Sequence, residues 1–294
     1  MNPLAVHPAL WSARWTDELG ALAVEHAAAL GYSHVVVPLR EPLQINPART
    51  SQIFSQVSLS PVNTANQLTD ADLSSVDPQI RRRGQDRLRL SIRLARDMGS
   101  SQINGVIYGP LCKAEAPASP ASRDACAESL ATLADEAKVA GVRLALEVVN
   151  RYESNMLNTA EQAVALIKQT GSDNLFVHLD TFHMNIEETD MITALRCARP
   201  YLAYFELDQN HRGDFLDGHI PLRPLLDELM ESGYGGMIGV EAFSSSILSP
   251  ETARALAIWR PVFDDGDRLA ATAAGMVRQA YDRVNKASEG KPTA

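Results

Sequence analysis

Five times along the chain an amphipathic stretch ends at a glycine and gives way to a short apolar, partly β-branched run. The instances are AALGYSHVVV around Gly31, RDMGSSQINGVI around Gly99, KVAGVRLALEV around Gly141, KQTGSDNLFVHL around Gly171 and MESGYGGMIGVE around Gly233. A glycine just past a helix C-terminus accepts the left-handed conformation that other residues resist, so each instance reads as helix, tight turn, strand. Extending that reading predicts eight strands, near residues 4–10, 34–38, 57–62, 102–108, 143–148, 175–179, 202–207 and 237–241. Helices are predicted between them, at 16–30, 78–98, 121–140, 159–169 and 222–232, with a long final one over 250–285. The helix at 78–98 opens on Asp77 before Pro78, a cap and first-position pair. No Gly- or Ser-rich linker divides the chain. Alternating strands and helices in this length predict one (β/α)8 TIM barrel over 1–286 with a flexible tail at 287–294, and a doubly wound open sheet as the alternative. The first strand lacks a following G-x-G-x-x-G, which counts against a dinucleotide site.

Composition narrows the range of functions. The chain has 294 residues, of which 45% are hydrophobic and 21% charged, as a packed core requires. Its net charge of −9 argues against broad contact with nucleic acid, which needs clustered Lys and Arg. The densest basic run, RRRGQDRLRLSIRLAR at 81–96, follows a helical pattern and reads as a solvated helix face. Cys112, Cys126 and Cys197 have no metal-type spacing and suit a reducing compartment. The opening MNPLAVHPALWS lacks a signal peptide's basic start, and no apolar run reaches the ~18 residues of a membrane span. A cytoplasmic protein with no membrane partner is expected.

A barrel gathers its chemistry at the C-terminal ends of its strands. The fifth strand reads RLALEVVNRYE and delivers Glu147, then Asn150, Arg151 and Glu153. The sixth, NLFVHLDTFHMNIEE, carries Asp180 at its tip and His183 three residues on. The seventh, YLAYFELDQNHRG, places Glu206 and Asp208 on one face. The eighth, MIGVEAF, ends in Glu241. A lone glutamate at a strand end is usually a surface residue or half of an ion pair, but four consecutive strands each delivering an acid at one level are harder to dismiss. Buried unpaired carboxylates cost several kcal/mol each, and Lys113, Arg151 and Arg212 are the obvious nearby cations. A divalent ion would resolve the repulsion, and all-oxygen ligation favours Mn2+ or Mg2+. His183 and His211 rank below the carboxylates as ligands. Trp11 and Trp15 could wall a sugar site or simply pack over the barrel mouth, and the loop at 109–120 could be a lid or a plain connection.

These residues resemble the ketose 3-epimerase group of the xylose-isomerase-like barrels, which includes D-tagatose and D-psicose 3-epimerases. ALEVVNRYE (145–153) and HLDTFHMNIEE (178–188) carry the resemblance, with weaker similarity in INGVIYGP (103–110) and VEAF (240–243). The resemblance implies a (β/α)8 barrel holding Mn2+, Co2+ or Mg2+, with metal ligands at Glu147, Asp180 and Glu241. It makes Glu147 and Glu241 the proton-transfer pair and Glu153, His183 and Arg212 the substrate contacts, and suggests a homodimer or homotetramer. Glu206 stands where the group has a metal-binding histidine, so a fourth acid joins the expected ligand set. The implied reaction removes a proton beside a ketose carbonyl and returns one to the other face through a cis-enediolate, with C3 epimerisation the leading outcome and free rather than phosphorylated sugars favoured. The alternative is a lyase of the same fold, either a decarboxylase of a 3-oxo sugar acid (3-oxo-isoapionate decarboxylase-like) or a 3-oxo-glycoside eliminase. A zinc endonuclease fits the carboxylate-rich site poorly, and a non-catalytic binding barrel has only the substitution at 206 in its favour.

Overall fold

The computed structural model describes residues 1–289, and among them eight parallel strands alternate with helices. The strands are β1 (Ala5–Val6), β2 (His34–Pro38), β3 (Ser60–Thr64), β4 (Gln102–Gly105), β5 (Arg143–Val148), β6 (Leu175–Asp180), β7 (Leu202–Leu207) and β8 (Met237–Val240). They pair in sequence order, each parallel to the next. The sheet closes where Leu4 bridges Ile238, Ile238 N–H donates to the Pro3 carbonyl (2.9 Å) and His7 N–H donates to the Val240 carbonyl (3.0 Å). The fold is a single TIM barrel, as the alternation predicted.

The helices are α1 (Asp17–Ala29), α2 (Pro47–Ser55), α3 (Pro78–Met98), α4 (Pro120–Val139), α5 (Ala160–Thr170), α6 (Thr181–Glu187), α7 (Met191–Ala198), α8 (Leu222–Glu231), α9 (Pro250–Ala255) and α10 (Gly266–Glu289). All five motif glycines sit at positive φ, between 68° and 85°. Several boundaries depart from expectation. The first strand is only two residues long, because Pro8–Leu10 turns into a 3-10 helix. The third begins at Ser60, since Val57 still belongs to the turn leaving α2. The fourth stops at Gly105, whose φ of 116° bends the chain out of the sheet. The expected final helix is two helices separated by a loop containing Pro261. Of the expected tail, residues 287–289 continue the α10 backbone, and 290–294 lie outside the described residues.

The main core lies between the strands and the helical ring, where Leu144, Leu146, Leu179, Phe205 and Val240 meet the inner faces of the helices. A small second cluster of Ala5, Val36, Val62, Tyr204 and Met237 fills the barrel interior. That plug leaves the upper interior, toward the strand C-termini, to polar side chains. The arginines of the 81–96 run are largely committed to the protein itself. Arg89 pairs with Glu136 (2.9 Å), and Arg81, Arg83 and Arg87 donate to backbone carbonyls of nearby loops. None of the described helices is long and apolar enough to cross a membrane.

Candidate active site

Side chains alternate along a strand, so the inward positions above the plug can be followed from register. On β5 they lead to Glu147, on β6 to His178 and Asp180, and on β7 to Tyr204, Glu206 and, just beyond the strand, Asp208. Glu147 pairs with His178, and Asp180 with Glu206, which pairs with Gly239; Glu241 follows two residues after Gly239. The four expected acids are therefore not at one level. They climb in two-residue steps around the barrel, as tilted, staggered strands require.

Glu147, Glu206 and Glu241 are linked through two histidines. His178 Nδ1 lies 3.9 Å from Glu147 Oε2 and its Nε2 lies 3.1 Å from Glu206 Oε2. His7, just past β1, has Nε2 3.0 Å from Glu206 Oε1 and Nδ1 3.2 Å from Glu241 Oε1. The result is an alternating chain, Glu147–His178–Glu206–His7–Glu241, running across the top of the barrel. Asp180 and Asp208 lie beside it, both fully buried.

Arg212 is the buried cation of this site. Its backbone is left-handed at φ 56°, and its guanidinium lies against the rings of Phe182 (4.3 Å) and Phe243 (5.0 Å). Nε lies 3.1 Å from Asp208, Nη1 3.1 Å from Glu241 and Nη2 3.6 Å from Asp180. His183 Nδ1 faces both the backbone N–H (3.2 Å) and the side-chain amide (2.8 Å) of Asn150. Its Nε2 lies 3.5 Å from Glu147 Oε1 and 3.3 Å from Arg212 Nη2, so it faces an acceptor and a donor at once. The Asn150 amide also donates to Glu153 (3.0 Å), tying that half-buried acid to the same network.

Burial and neighbouring charge pull these groups in different directions. Burial raises Glu241 to about 7, only partly offset by His7 and Arg212. Burial also raises Glu206 and Glu147, but in both the histidines outweigh it and hold the carboxyl below its ordinary range. His7 is pushed the opposite way to burial, up to about 9, by Glu206 and Glu241. Asp180 and Asp208 are raised by burial.

Residues 24–262 match the xylose isomerase-like TIM barrel family. The chain belongs to that family. It is 34% identical over 275 residues to the L-ribulose 3-epimerase of Methylomonas sp. (strain DH-1), covering 94% of this chain and 96% of the relative. It is 32% identical over 282 residues to the ketose 3-epimerase of Arthrobacter globiformis, covering 96% and 97%. The crystal structure of a D-allulose 3-epimerase from Methylomonas sp. in complex with D-allulose superposes with a TM-score of 0.92 at 33% identity, covering 95% of this chain and 97% of that one.

In this xylose isomerase-like barrel the donor set fits a hard divalent cation. Asp180 Oδ2, Glu206 Oε1 and Asp208 Oδ2 are buried oxygens with no hydrogen-bond partner among the described residues; where a base lies close, the alignment is wrong for a hydrogen bond. His7 Nε2 and His178 Nδ1 are likewise unbonded. Buried carboxylate oxygens seldom stay unsatisfied, and oxygen-rich sets suit Mn2+ or Mg2+. The ligand atoms fall into four overlapping triads, His7–Glu206–Glu241, Glu147–Asp180–His183, Glu147–His178–Glu206 and Asp180–Asp208–Glu241, in which each of Glu147, Asp180, Glu206 and Glu241 shares a triad with two of the others.

All seven expected site residues (Glu147, Glu153, Asp180, His183, Glu206, Arg212 and Glu241) thus lie in one connected network. His211 does not join it; its Nε2 meets the Asp217 carbonyl in the loop after β7. Arg151 is exposed and paired with Glu187 at 2.8 Å. Trp11 stacks on His26 and donates to Asp267, while Trp15 stacks on Phe54, so both indoles pack on helices. The 109–120 loop lines a surface cleft with Asp72, Asn155 and Met156, apart from the carboxylates. Sequence reasoning missed His7 and His178. The available signal was period two: His178 shares its strand face with Asp180, and His7 ends the strand that must close against the one carrying Glu241.

Proposed function

We propose that this chain is a divalent-metal-dependent ketose 3-epimerase in which Glu147 and Glu241 are the two proton-transfer groups. The observation that carries the reading is the Glu147–His178–Glu206–His7–Glu241 chain. It sets two carboxylates, one on β5 and one just past β8, at opposite ends of one buried polar network. Two bases on opposite sides of a site are what inversion at carbon requires, since one must take a proton from one face and the other return it to the other.

Glu147, Asp180, Glu206 and Glu241 would hold the ion, which we assign as Mn2+ with Mg2+ or Co2+ able to substitute. When bound, such an ion polarises a ketone and acidifies the adjacent C–H. The chain's own groups supply the rest. His183 is held through Nδ1 by Asn150, with Nε2 between Glu147 Oε1 and Arg212 Nη2, where it would contact a sugar oxygen. Arg212 places positive charge where an oxyanion would develop, and Glu153 is positioned through Asn150 to accept from a hydroxyl. The relatives named for L-ribulose, ketose and D-allulose 3-epimerisation support a ketose as the substrate class, and we infer a free sugar. The decarboxylase reading needs a cation free to meet a substrate carboxylate, whereas Arg212 is already shared among Asp180, Asp208 and Glu241.

The test is solvent exchange. Incubated with Mn2+ in deuterated water, D-psicose, D-fructose, D-tagatose or L-ribulose should gain deuterium at C3 as its epimer forms, followed by NMR. No exchange with any of them, together with CO2 release from a 3-oxo sugar acid, would replace the epimerase with the lyase.

A further inference from the structure

We propose that His178 is a positioning residue that holds one oxygen of Glu206, so that this carboxylate offers only its other oxygen to the cation site. The proposal rests on the metal-dependent reading above. It starts from how each buried acid is held. Asp180 caps α6, and its Oδ1 accepts from Phe182 N–H (2.6 Å) and His183 N–H (3.3 Å). Asp208 Oδ1 accepts from Gln209 N–H (2.8 Å). In both, backbone donors hold one oxygen and the other is left without a hydrogen bond.

Glu206 has no such local donor. It lies inside β7, whose amides serve the ladders to β6 and β8. A glutamate also has one more rotatable bond than an aspartate, and so more freedom to lose before it can act as a fixed ligand. A side-chain donor must do what the backbone does for the two aspartates. His178 is that donor. It is fully buried two residues before Asp180, on the strand paired with Glu206. An ionised carboxylate can only accept, so the 3.1 Å contact is His178 Nε2–H donating to Glu206 Oε2. Oε1 is left without a hydrogen bond, as are Asp180 Oδ2 and Asp208 Oδ2; His7 Nε2 lies 3.0 Å from it but is not aligned for one. The imidazole is itself wedged in place: its ring meets Tyr204 edge-on at 4.7 Å. Tyr204 in turn lies against the bare Cα of Gly239, where any added Cβ would strike its ring. Gly239, Tyr204, His178 and Glu206 thus form a supporting stack beneath the site, of the kind that orients metal ligands from behind.

The experiment measures Mn2+ binding directly, by the EPR signal of free aqueous Mn2+, on the metal-stripped full chain. The proteins are wild type, His178→Leu, His178→Gln, Glu206→Ala and the His178→Leu/Glu206→Ala double variant, with the melting temperature of each metal-free form recorded. His178→Leu should weaken Mn2+ binding about 10–100-fold. His178→Gln, whose amide nitrogen reaches the Nε2 position, should recover most of that affinity. In the Glu206→Ala background His178→Leu should cost nothing further, because it acts through Glu206. Wild-type affinity in His178→Leu, or losses that multiply in the double variant, would overturn the proposal. If His178→Leu does not fold, His178→Asn replaces it: its amide falls short of Glu206, so equal affinity in the Asn and Gln variants overturns the idea just as well. A wild-type chain that binds no Mn2+ would instead remove the metal-dependent reading itself.

Discussion

A glutamate at position 206 sets a condition on its neighbours that a histidine would not. Its oxygens only accept: His178 Nε2 donates to one at 3.1 Å, and His7 Nε2 lies 3.0 Å from the other without the alignment of a hydrogen bond. Glu206→His would gather three imidazoles, leave the His178 donor without its acceptor and remove the carboxylate that faces His7. We expect it to lower the metal-free protein's unfolding free energy by about 1–3 kcal/mol, read by urea denaturation; equal or greater stability would count against the Glu–His chain. The proton-transfer assignment has its own signature. Glu147→Gln and Glu241→Gln should each lower kcat for epimerisation by about 10²–10⁴ while the far-UV circular dichroism is unchanged. Each variant keeps one base, so each should still exchange the C3 hydrogen of one epimer, and of opposite epimers in the two variants. Exchange of the same epimer by both would break the assignment. Glu147, Asp180 and Glu241 were legible in the sequence because an acid at the end of an apolar run stands out. His178 was not, because within LFVHLD it looks like a core histidine. His7 depends on a closure between β1 and β8 that no local pattern reveals.

At the level of elements, the helix–glycine–strand rhythm was readable because the glycines punctuate the chain for a backbone reason. Elements with other start and stop signals were harder to see. The tip acid Asp180 is also the N-cap of α6, so strand and helix abut with no loop between them. The final helix was read as continuous because its apolar spacing resumes after the break. Two glycines separate backbone strain from crowding. Both Gly99 and Gly105 have positive φ, but a Cβ at Gly99 would meet nothing within 4 Å, whereas one at Gly105 would strike the Ala65 carbonyl oxygen. Gly99→Ala should therefore cost about 1 kcal/mol. Gly105→Ala should cost more, by about a further 1–3 kcal/mol, because the backbone where β3 and β4 meet must move. Equal losses in thermal or urea unfolding would mean that crowding at Ala65 contributes nothing.

The whole molecule combines an acidic chain, net charge −9, with a barrel whose shortest strand is the one that closes it. β1 pairs with β2 through only two residues, and its contact with β8 is a bridge and two flanking hydrogen bonds. Directly above that seam His7 reaches from β1 to Glu206 on β7 and to Glu241 just past β8. A cation shared by acids of β5 to β8 would therefore bind where the barrel has the fewest backbone bonds to resist opening. Bound ligand stabilises only the folded state, by about 2.7 kcal/mol at a hundredfold excess over Kd, so chelation should lower the melting temperature and Mn2+ should restore it. The distribution of that gain tests the geometry. Amide hydrogen exchange reports local opening, and Mn2+ should slow it most at His7–Leu10 and in the 240–243 segment, and least in β2 and β3 on the far wall. Uniform slowing would mean that the ion raises global stability without bracing the seam. No slowing at 240–243 would place the ion somewhere other than among these carboxylates.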